Sequence, residues 1–348
     1  MRIIDLEAHF YTQDYIKYLR SRKEMPREEV GEKGIRLHMA PNLWAPRSFK
    51  LEESLLDMGE KRIEEMDEAG VDIQVLSLAV PGCEQFEASD GAAMARQTND
   101  ELSEVLKKYP ERYVGLAALA PQDPEGAAGE LERAVNKLGM RGAKLNSHVR
   151  GEYLDDQKFW PLFEMAERLD VPIYLHPTWP APSILKPYAD YGFPLAGPPL
   201  GFAADACLHA VRLIYSGLFD KYPGLKIVLG HLGEGLPFWL YRIDFYWLRP
   251  WVAPEIKPKI LQKPSYYINK NFLFTSSGMH FLPAFICAYM ALGADMIAFG
   301  ADHPFETGQD SLEALGILPI CDADKEKFYH GNAEKLLKLE SIQKRSKR

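Results

Sequence analysis

Residues 4–10 read Ile4-Asp5-Leu6-Glu7-Ala8-His9-Phe10, a short strand-like run in which Glu7 and His9 stand two apart. Side chains two apart on an extended strand share a face, so this spacing sets a carboxylate beside an imidazole. Alone, such a pair is most simply the wet face of a surface strand. It gains meaning because the layout recurs: strands are expected at 2–9, 72–78, 113–119, 142–146, 172–176, 226–231, 271–276 and 296–302, and several end in His, Asp, Lys or Asn.

Helix-like segments separate these runs, at 55–69, 88–108, 124–138, 158–169, 202–219, 236–248 and 281–292, followed by 310–317 and 324–339. Local chemistry supports the boundaries. Pro124 and Pro237 stand where a first helical turn tolerates a missing N–H, and Gly139 and Gly293 fall just past helix ends. Regular alternation of strand and helix predicts an α/β protein with a parallel sheet, and eight repeats predict a closed (β/α)8, TIM-like barrel. No Gly-rich dinucleotide fingerprint follows the first strand, which argues against an open Rossmann-like sheet. Two insertions distort the expected barrel. Residues 11–54 follow strand one with mixed charge and little periodicity, and residues 177–201, with seven prolines, follow strand five. Both leave the end of the barrel where active sites form, so they are expected to wall or cover a pocket. One domain over 1–340 is expected, with 341–348 a solvated basic tail.

Composition excludes several classes. A chain of 348 residues, 47% hydrophobic and 26% charged, can bury a large core. A net charge of −8 argues against a nucleic-acid surface. No apolar run is long enough to span a bilayer, and no secretory leader opens the chain, so a cytoplasmic protein is expected. Cys83, Cys207, Cys287 and Cys321 are widely spaced and are expected to be buried free thiols.

Strand ends in such a barrel converge on one mouth. Strand one brings Glu7 and His9, strand four Lys144 and Asn146, strand five His176, strand six His231 and strand eight Asp302; strands two and seven offer Ser77, Ser276 and Ser277. Each has a plain alternative: a strand-end His is often just hydrogen-bonded, and Asp302 could cap the next helix. Together Glu7, His9, His176 and Asp302 make a set of two carboxylates and two imidazoles. That mixture, without thiolate, suits one divalent ion, Zn2+ or Mn2+. A second constellation is Gly230-His231-Leu232-Gly233-Glu234-Gly235-Leu236-Pro237. Glu234 can accept from the His231 ring, fixing its tautomer for proton transfer or charge stabilisation. Arg242, about two turns along the following helix, could pair with Glu234 or reach an anionic substrate. His280 and His303 lie close enough to strand ends to reach the mouth. His209 reads as structural, and His38, His148 and His330 as loop or surface residues.

The stretches Leu6-Glu7-Ala8-His9-Phe10, Asp170-Val171-Pro172-Ile173-Tyr174-Leu175-His176-Pro177, Ser216-Gly217-Leu218-Phe219-Asp220, the His231 block and Ala301-Asp302-His303-Pro304-Phe305-Glu306 resemble the metal-dependent decarboxylase branch of the amidohydrolase superfamily. The resemblance runs from strand one to about residue 338 and implies a metal held by Glu7, His9, His176 and Asp302. It makes His231 and Glu234 an auxiliary dyad supported by Arg242. Hydrolytic members carry His-x-His on strand one, so Glu7 points to the decarboxylase branch and to a single metal. Lys144 matches a position that is carboxylated in two-metal hydrolases; with one metal it instead binds substrate or pairs with a carboxylate. The implied reaction is non-oxidative decarboxylation of a hydroxylated benzoate without an organic cofactor. The metal would chelate the carboxylate and ortho hydroxyl, Asp302 would protonate the ring carbon, and His231 would stabilise the phenolic oxygen. Phe10, Trp179, Met279 and Phe305 would wall the ring pocket. Homodimers or homotetramers are expected. The rival reading is a metal-dependent hydrolase or hydratase of a lactone or ring-cleavage product.

Overall fold

The computed structural model describes residues 1–339; the expected basic tail at 341–348 lies outside the described residues. Twelve strands occur among the described residues. They are β1 (Ile4–Phe10), β2 (Arg27–Gly31), β3 (Gly34–Ala40), β4 (Leu43–Arg47), β5 (Ile73–Leu78), β6 (Tyr113–Gly115), β7 (Ala117–Ala118), β8 (Ala143–Asn146), β9 (Ile173–His176), β10 (Ile227–Leu229), β11 (Phe272–Thr275) and β12 (Ile297–Ala298).

All but β2–β4 run parallel as two arcs, β1-β5-β6 and β7-β8-β9-β10-β11-β12. The arcs join at Leu116, which separates β6 from β7. Its N–H bonds Leu76 on one side, and the N–H of the next residue, Ala117, bonds Gly142 on the other. Bonds from Leu6 N to Phe299 O and from Asp302 N to Glu7 O close the ring, with a parallel bridge between Ala8 and His303. The expected eight-stranded barrel is therefore present, its third strand broken in two.

Apolar side chains fill two layers. Ile4, Leu6, Ile73, Val75, Val114, Leu116, Val228 and Leu273 occupy the lumen, and Ala333, Leu337 and Leu339 plug the end at which the strands begin. Alternate residues such as Ala8, Phe10, Leu76 and Leu145 face the surrounding helices. The helices at Ala88–Lys108 and Pro124–Leu138 have the expected limits, the second capped by Asp123 and ended by Gly139 at φ +80°. The long final segment is instead three short pieces, Asp322–Glu326, a π turn at Lys327–Gly331, and Asn332–Leu337.

The insertion at 11–54 contains a helix, Gln13–Ser21, and the antiparallel meander β2-β3-β4. Its mixed charge hides a buried ion cluster. Arg47 on β4 donates to Glu28 on β2 and, at 2.9 Å, to Glu52, so a charge that reads as a surface signal faces inward. The second insertion meets the first: Leu43 of the meander packs with Trp179 and Ala196, and Met39 and Ala45 join Leu185, Tyr188 and Phe193 around them. The two insertions thus form a common roof. All four cysteines are free; Cys83 is buried, Cys207 and Cys287 are half-buried, and Cys321 is exposed, contrary to expectation.

Candidate functional site

A bulge in β1 sets the geometry. Three residue steps on β1, from Asp5 to Ala8, face two on β5, from Gln74 to Leu76. The extra residue re-aims the strand, as bulges do. Asp5 holds it: Oδ1 accepts from Glu7 N at 3.1 Å and Ala301 N at 2.8 Å. Both Glu7 and His9 then face the lumen at the end where the strands finish.

The structure brings Glu7, His9, His176 and Asp302 together, with ligand atoms all within 4.8 Å of one another. His9 Nε2 lies 3.0 Å from Asp302 Oδ1 and 3.6 Å from Glu7 Oε1, while His176 Nε2 lies 3.3 Å from Glu7 Oε1. Donors about 2.0–2.2 Å from a shared ion stand roughly 3–4.4 Å apart, so the separations fit a metal. Glu7 Oε1 and His9 Nε2 are buried and lack a hydrogen-bond partner, as donors turned toward a shared ion would.

Each donor is oriented from behind. His176 Nδ1 donates to Pro177 O at 2.6 Å, leaving Nε2 its lone pair, and Ser77 Oγ meets His9 Nδ1 at 3.2 Å. Such outer partners fix ring tautomers in metal sites. The other Glu7 oxygen, Oε2, accepts from Tyr174 and Ser277 and, at 3.1 Å, from Thr275. Burial alone would raise the Glu7 carboxyl; His231, His176 and His9 outweigh it and hold it well below the usual range. Burial, then the nearby Lys144 charge, drives His176 down to about 3, so its ring is neutral and available as a donor.

The segment after β10 departs from a simple helix start. His231, Leu232, Gly233, Glu234 and Gly235 all have positive φ, from +51° to +81°. Left-handed backbone at three non-glycine residues is costly and collects at functional sites. It folds Glu234 back onto the ring, with His231 Nδ1 and Glu234 Oε1 2.6 Å apart. His231 Nε2 then stands 3.9 Å from both Glu7 Oε1 and Asp302 Oδ2. Burial disfavours the imidazolium, but Glu234 and Glu7 prevail and hold its pKa well above 6.5. Asp302 also takes left-handed backbone, φ +66°, and does not cap the next helix; Thr307 does.

Other expected site residues divide. The Phe305 ring stands edge-on to His9, 5.7 Å between centroids. Lys144 and Asn146 pair in register with Tyr174 and His176 and share their inward face, and both are buried. Trp179 packs on Phe193 and Phe202 in the roof and lines a cavity of about 180 Å³ with Arg22, His148 and Arg150. Phe10 does not reach the mouth: one residue beyond His9, it alternates outward into the layer under the helices. Arg242 pairs with neither Glu234 nor the cluster; it is exposed and lies over the Phe245 ring. Met279 packs beside Leu232 and Phe285, and the His280 ring engages Ser311 at 2.7 Å. The His303 ring turns toward Glu65, and burial lowers it to about 3. His148 is buried rather than superficial, its Nε2 2.9 Å from Trp179 O. His209 is structural, accepting from Leu154 N. Asp5, Tyr174, Thr275 and Glu84 escaped the strand-end search; for Tyr174 the clue was its place two residues before His176, on the same face.

The sequence profile of the amidohydrolase family matches residues 4–339. The chain belongs to that family. This amidohydrolase is 41% identical over 297 residues to a γ-resorcylate decarboxylase of Polaromonas sp. JS666, covering 83% of this chain and 90% of the relative. It is 38% identical over 300 residues to a γ-resorcylate decarboxylase of a Rhizobium strain, covering 84% and 90%. Among solved structures it superimposes on 5-carboxyvanillate decarboxylase from Sphingomonas paucimobilis with a TM-score of 0.88 and 33% identity, over 97% of this chain and 99% of that one. The Polaromonas dihydroxybenzoic acid decarboxylase, solved with manganese and the inhibitor 2-nitroresorcinol, gives 0.85 and 38%, over 97% of each chain.

Proposed function

We propose that this amidohydrolase is a metal-dependent, non-oxidative decarboxylase of a hydroxylated benzoate. The observation that carries the reading is the four-donor cluster with the His231–Glu234 dyad against it, in a chain this similar to decarboxylases. Glu7, His9, His176 and Asp302 would hold one divalent ion. When bound, it supplies a Lewis acid that anchors and orients the substrate carboxylate and its ortho hydroxyl. Four protein donors plus two substrate oxygens favour Mn2+, with Zn2+ the alternative.

The protein's own groups carry the proton and the charge. His231 and His9 outweigh burial and keep Asp302 ionised, so it can take the proton of the ring hydroxyl and deliver it to the ring carbon that bears the carboxylate. The new C–H bond breaks aromaticity. The bond to the carboxylate then breaks, its electron pair returns to the ring, and CO2 leaves. His231, held as imidazolium by Glu234, stabilises the phenolic oxygen while negative charge resides there. Electrons begin and end on the ring, so the chemistry needs no organic cofactor. Phe305, beside His9, offers an apolar edge to the substrate ring.

Incubating the holoenzyme with a panel of hydroxybenzoates in deuterated water should release CO2 and place one deuteron on the vacated carbon. A panel that yields no CO2 overturns the reading. No helix among the described residues is long and apolar enough to cross a membrane, and we assign the protein to the cytoplasm. We also assign self-association into a dimer or tetramer, for which the exposed Phe238, Trp239, Tyr241, Tyr246 and Trp251 supply apolar area. Light scattering should give a mass of two or four chains.

A further inference from the structure

The loop after β8 and the insertion after β9 meet at one buried carboxyl. Asp205, on the helix Gly201–Tyr215, is completely buried and lies outside the metal cluster. Its Oδ2 accepts from Ser147 Oγ at 2.5 Å, and its Oδ1 accepts from the Tyr153 hydroxyl at 2.6 Å and from Ala181 N at 3.1 Å. One side chain thereby ties the helix to both segments.

A second tie runs alongside through His148. Gly151 N donates to His148 Nδ1 at 3.0 Å, so Nε2 carries the ring proton and donates to Trp179 O at 2.9 Å. Gln85 Nε2, donating to His148 O at 2.6 Å, holds the loop from behind. Trp179 O and Ala181 N are therefore gripped on either side of Pro180, which has no N–H of its own.

This grip acts close to the site. Ser147 follows β8 directly, and the Trp179–Ala181 segment follows soon after the cluster residue His176 on β9. The Trp179 ring packs against Phe193 and Phe202 and clusters with Leu43 of the meander, at the contact between the two insertions. Burying such a polar hub costs free energy unless every bond is made, and when all are made it admits a single arrangement of the parts it joins.

We propose that Asp205 is a positioning residue for substrate binding. By fixing Trp179–Ala181 it sets the roof over the barrel mouth, and with it the affinity for the aromatic ligand, while touching neither metal nor ligand. The proposal deepens the decarboxylase reading and rests on it for the identity of the ligand.

The test uses the metal-loaded protein and the probe 2-nitroresorcinol, with amide hydrogen exchange followed over residues 178–200. A hydrogen bond to a charged group is worth about a factor of ten or more, so Asp205→Ala should weaken probe binding and speed that exchange by at least about tenfold each, with metal content unchanged. Asp205→Asn keeps Oδ1 for Tyr153 and Ala181 and can donate from Nδ2 to Ser147 Oγ, so it should stay within about twofold of wild type in both. Tyr153→Phe removes a single donor from a half-buried position and should give about a threefold effect in both, which decides the matter if Asp205→Ala does not fold. In a hydroxybenzoate that turns over, Asp205→Ala should raise KM and change kcat by less than about threefold. A lower Tm with unchanged probe affinity makes Asp205 a structural support only and overturns the proposal. Loss of metal, a fall in kcat at constant KM, or failure of wild type to bind the probe overturns it as well. Absence of CO2 from the hydroxybenzoate panel strikes the decarboxylase reading alone, because probe affinity and exchange are read without turnover.

Discussion

Replacing Asp5 by Ala should damage the metal site although Asp5 is not among the four cluster residues. Its Oδ1 accepts from Glu7 N and Ala301 N, at 3.1 and 2.8 Å, and so ties the β1 bulge to the chain just before Asp302. Asp5 is completely buried, and no water can replace it without a cavity. Leaving two buried N–H groups unpaired costs about 1–3 kcal/mol each, or about 2–6 kcal/mol together. At about 2–4 °C per kcal/mol, the Tm should fall by about 4 °C or more. Loosening Glu7 and Asp302 should also weaken metal binding by about 10–100-fold, the usual cost of losing an outer-shell support. Asp5→Asn keeps the acceptor and should recover most of both losses. The pH dependence has a defined sign. Burial raises the Asp5 pKa from 3.8 to about 7, so folding favours its protonated form; its contribution to stability is full below 3.8 and erodes as pH rises to about 7. Asn cannot ionise, so Asp5→Asn should gain on wild type across that window. Thermal denaturation at pH 5 and 8, with metal titration, checks these outcomes. An Ala variant with unchanged Tm and unchanged metal affinity refutes the reasoning.

Four further outcomes are expected. Glu234→Gln removes the charge that holds His231 above 6.5, so the alkaline limb of the rate profile should move to lower pH; a limb that stays put removes His231 from the reaction. Tyr174→Phe deletes one of three donors to Glu7 Oε2 and should weaken metal affinity about tenfold, read by competition with a chelating dye. Asp302→Asn should retain part of the metal and lose at least about 100-fold in CO2 release, whereas His176→Ala should lose the metal itself. Exhaustive chelation should abolish turnover, and Mn2+ or Zn2+ should restore it, with the ratio of recovered rates identifying the productive ion.

Much of this was legible because β-strand periodicity and barrel topology are both strong constraints. A strand ending in His176 or Asp302 can be recognised from its apolar run, and parallel alternation then forces those ends to one mouth. What stayed hidden had no periodic signature. The 231–235 turn depends on a run of positive φ angles, which its glycines hinted at but Leu232 and Glu234 did not. Glu84 enters from the loop after β5, outside any strand-end search. The meander at 27–47 was masked because Glu28 and Arg47 satisfy each other inside, so the charge pattern looked like solvent exposure. Phe10 was misplaced for a simpler reason: nearness in sequence to a functional residue says nothing about facing when the strand turns the next side chain away.

The metal-facing residues are contributed from nearly opposite ends of the chain, Glu7 on β1 and Asp302 after β12. Their convergence requires the last strand to meet the first, so no partial chain leaving the ribosome can hold the complete donor set. At about 5–20 residues per second, synthesis leaves a nascent chain without this site for tens of seconds. Metal acquisition is thereby deferred to the finished barrel, and the ion is chosen by whatever the surrounding compartment offers a protein that has already folded.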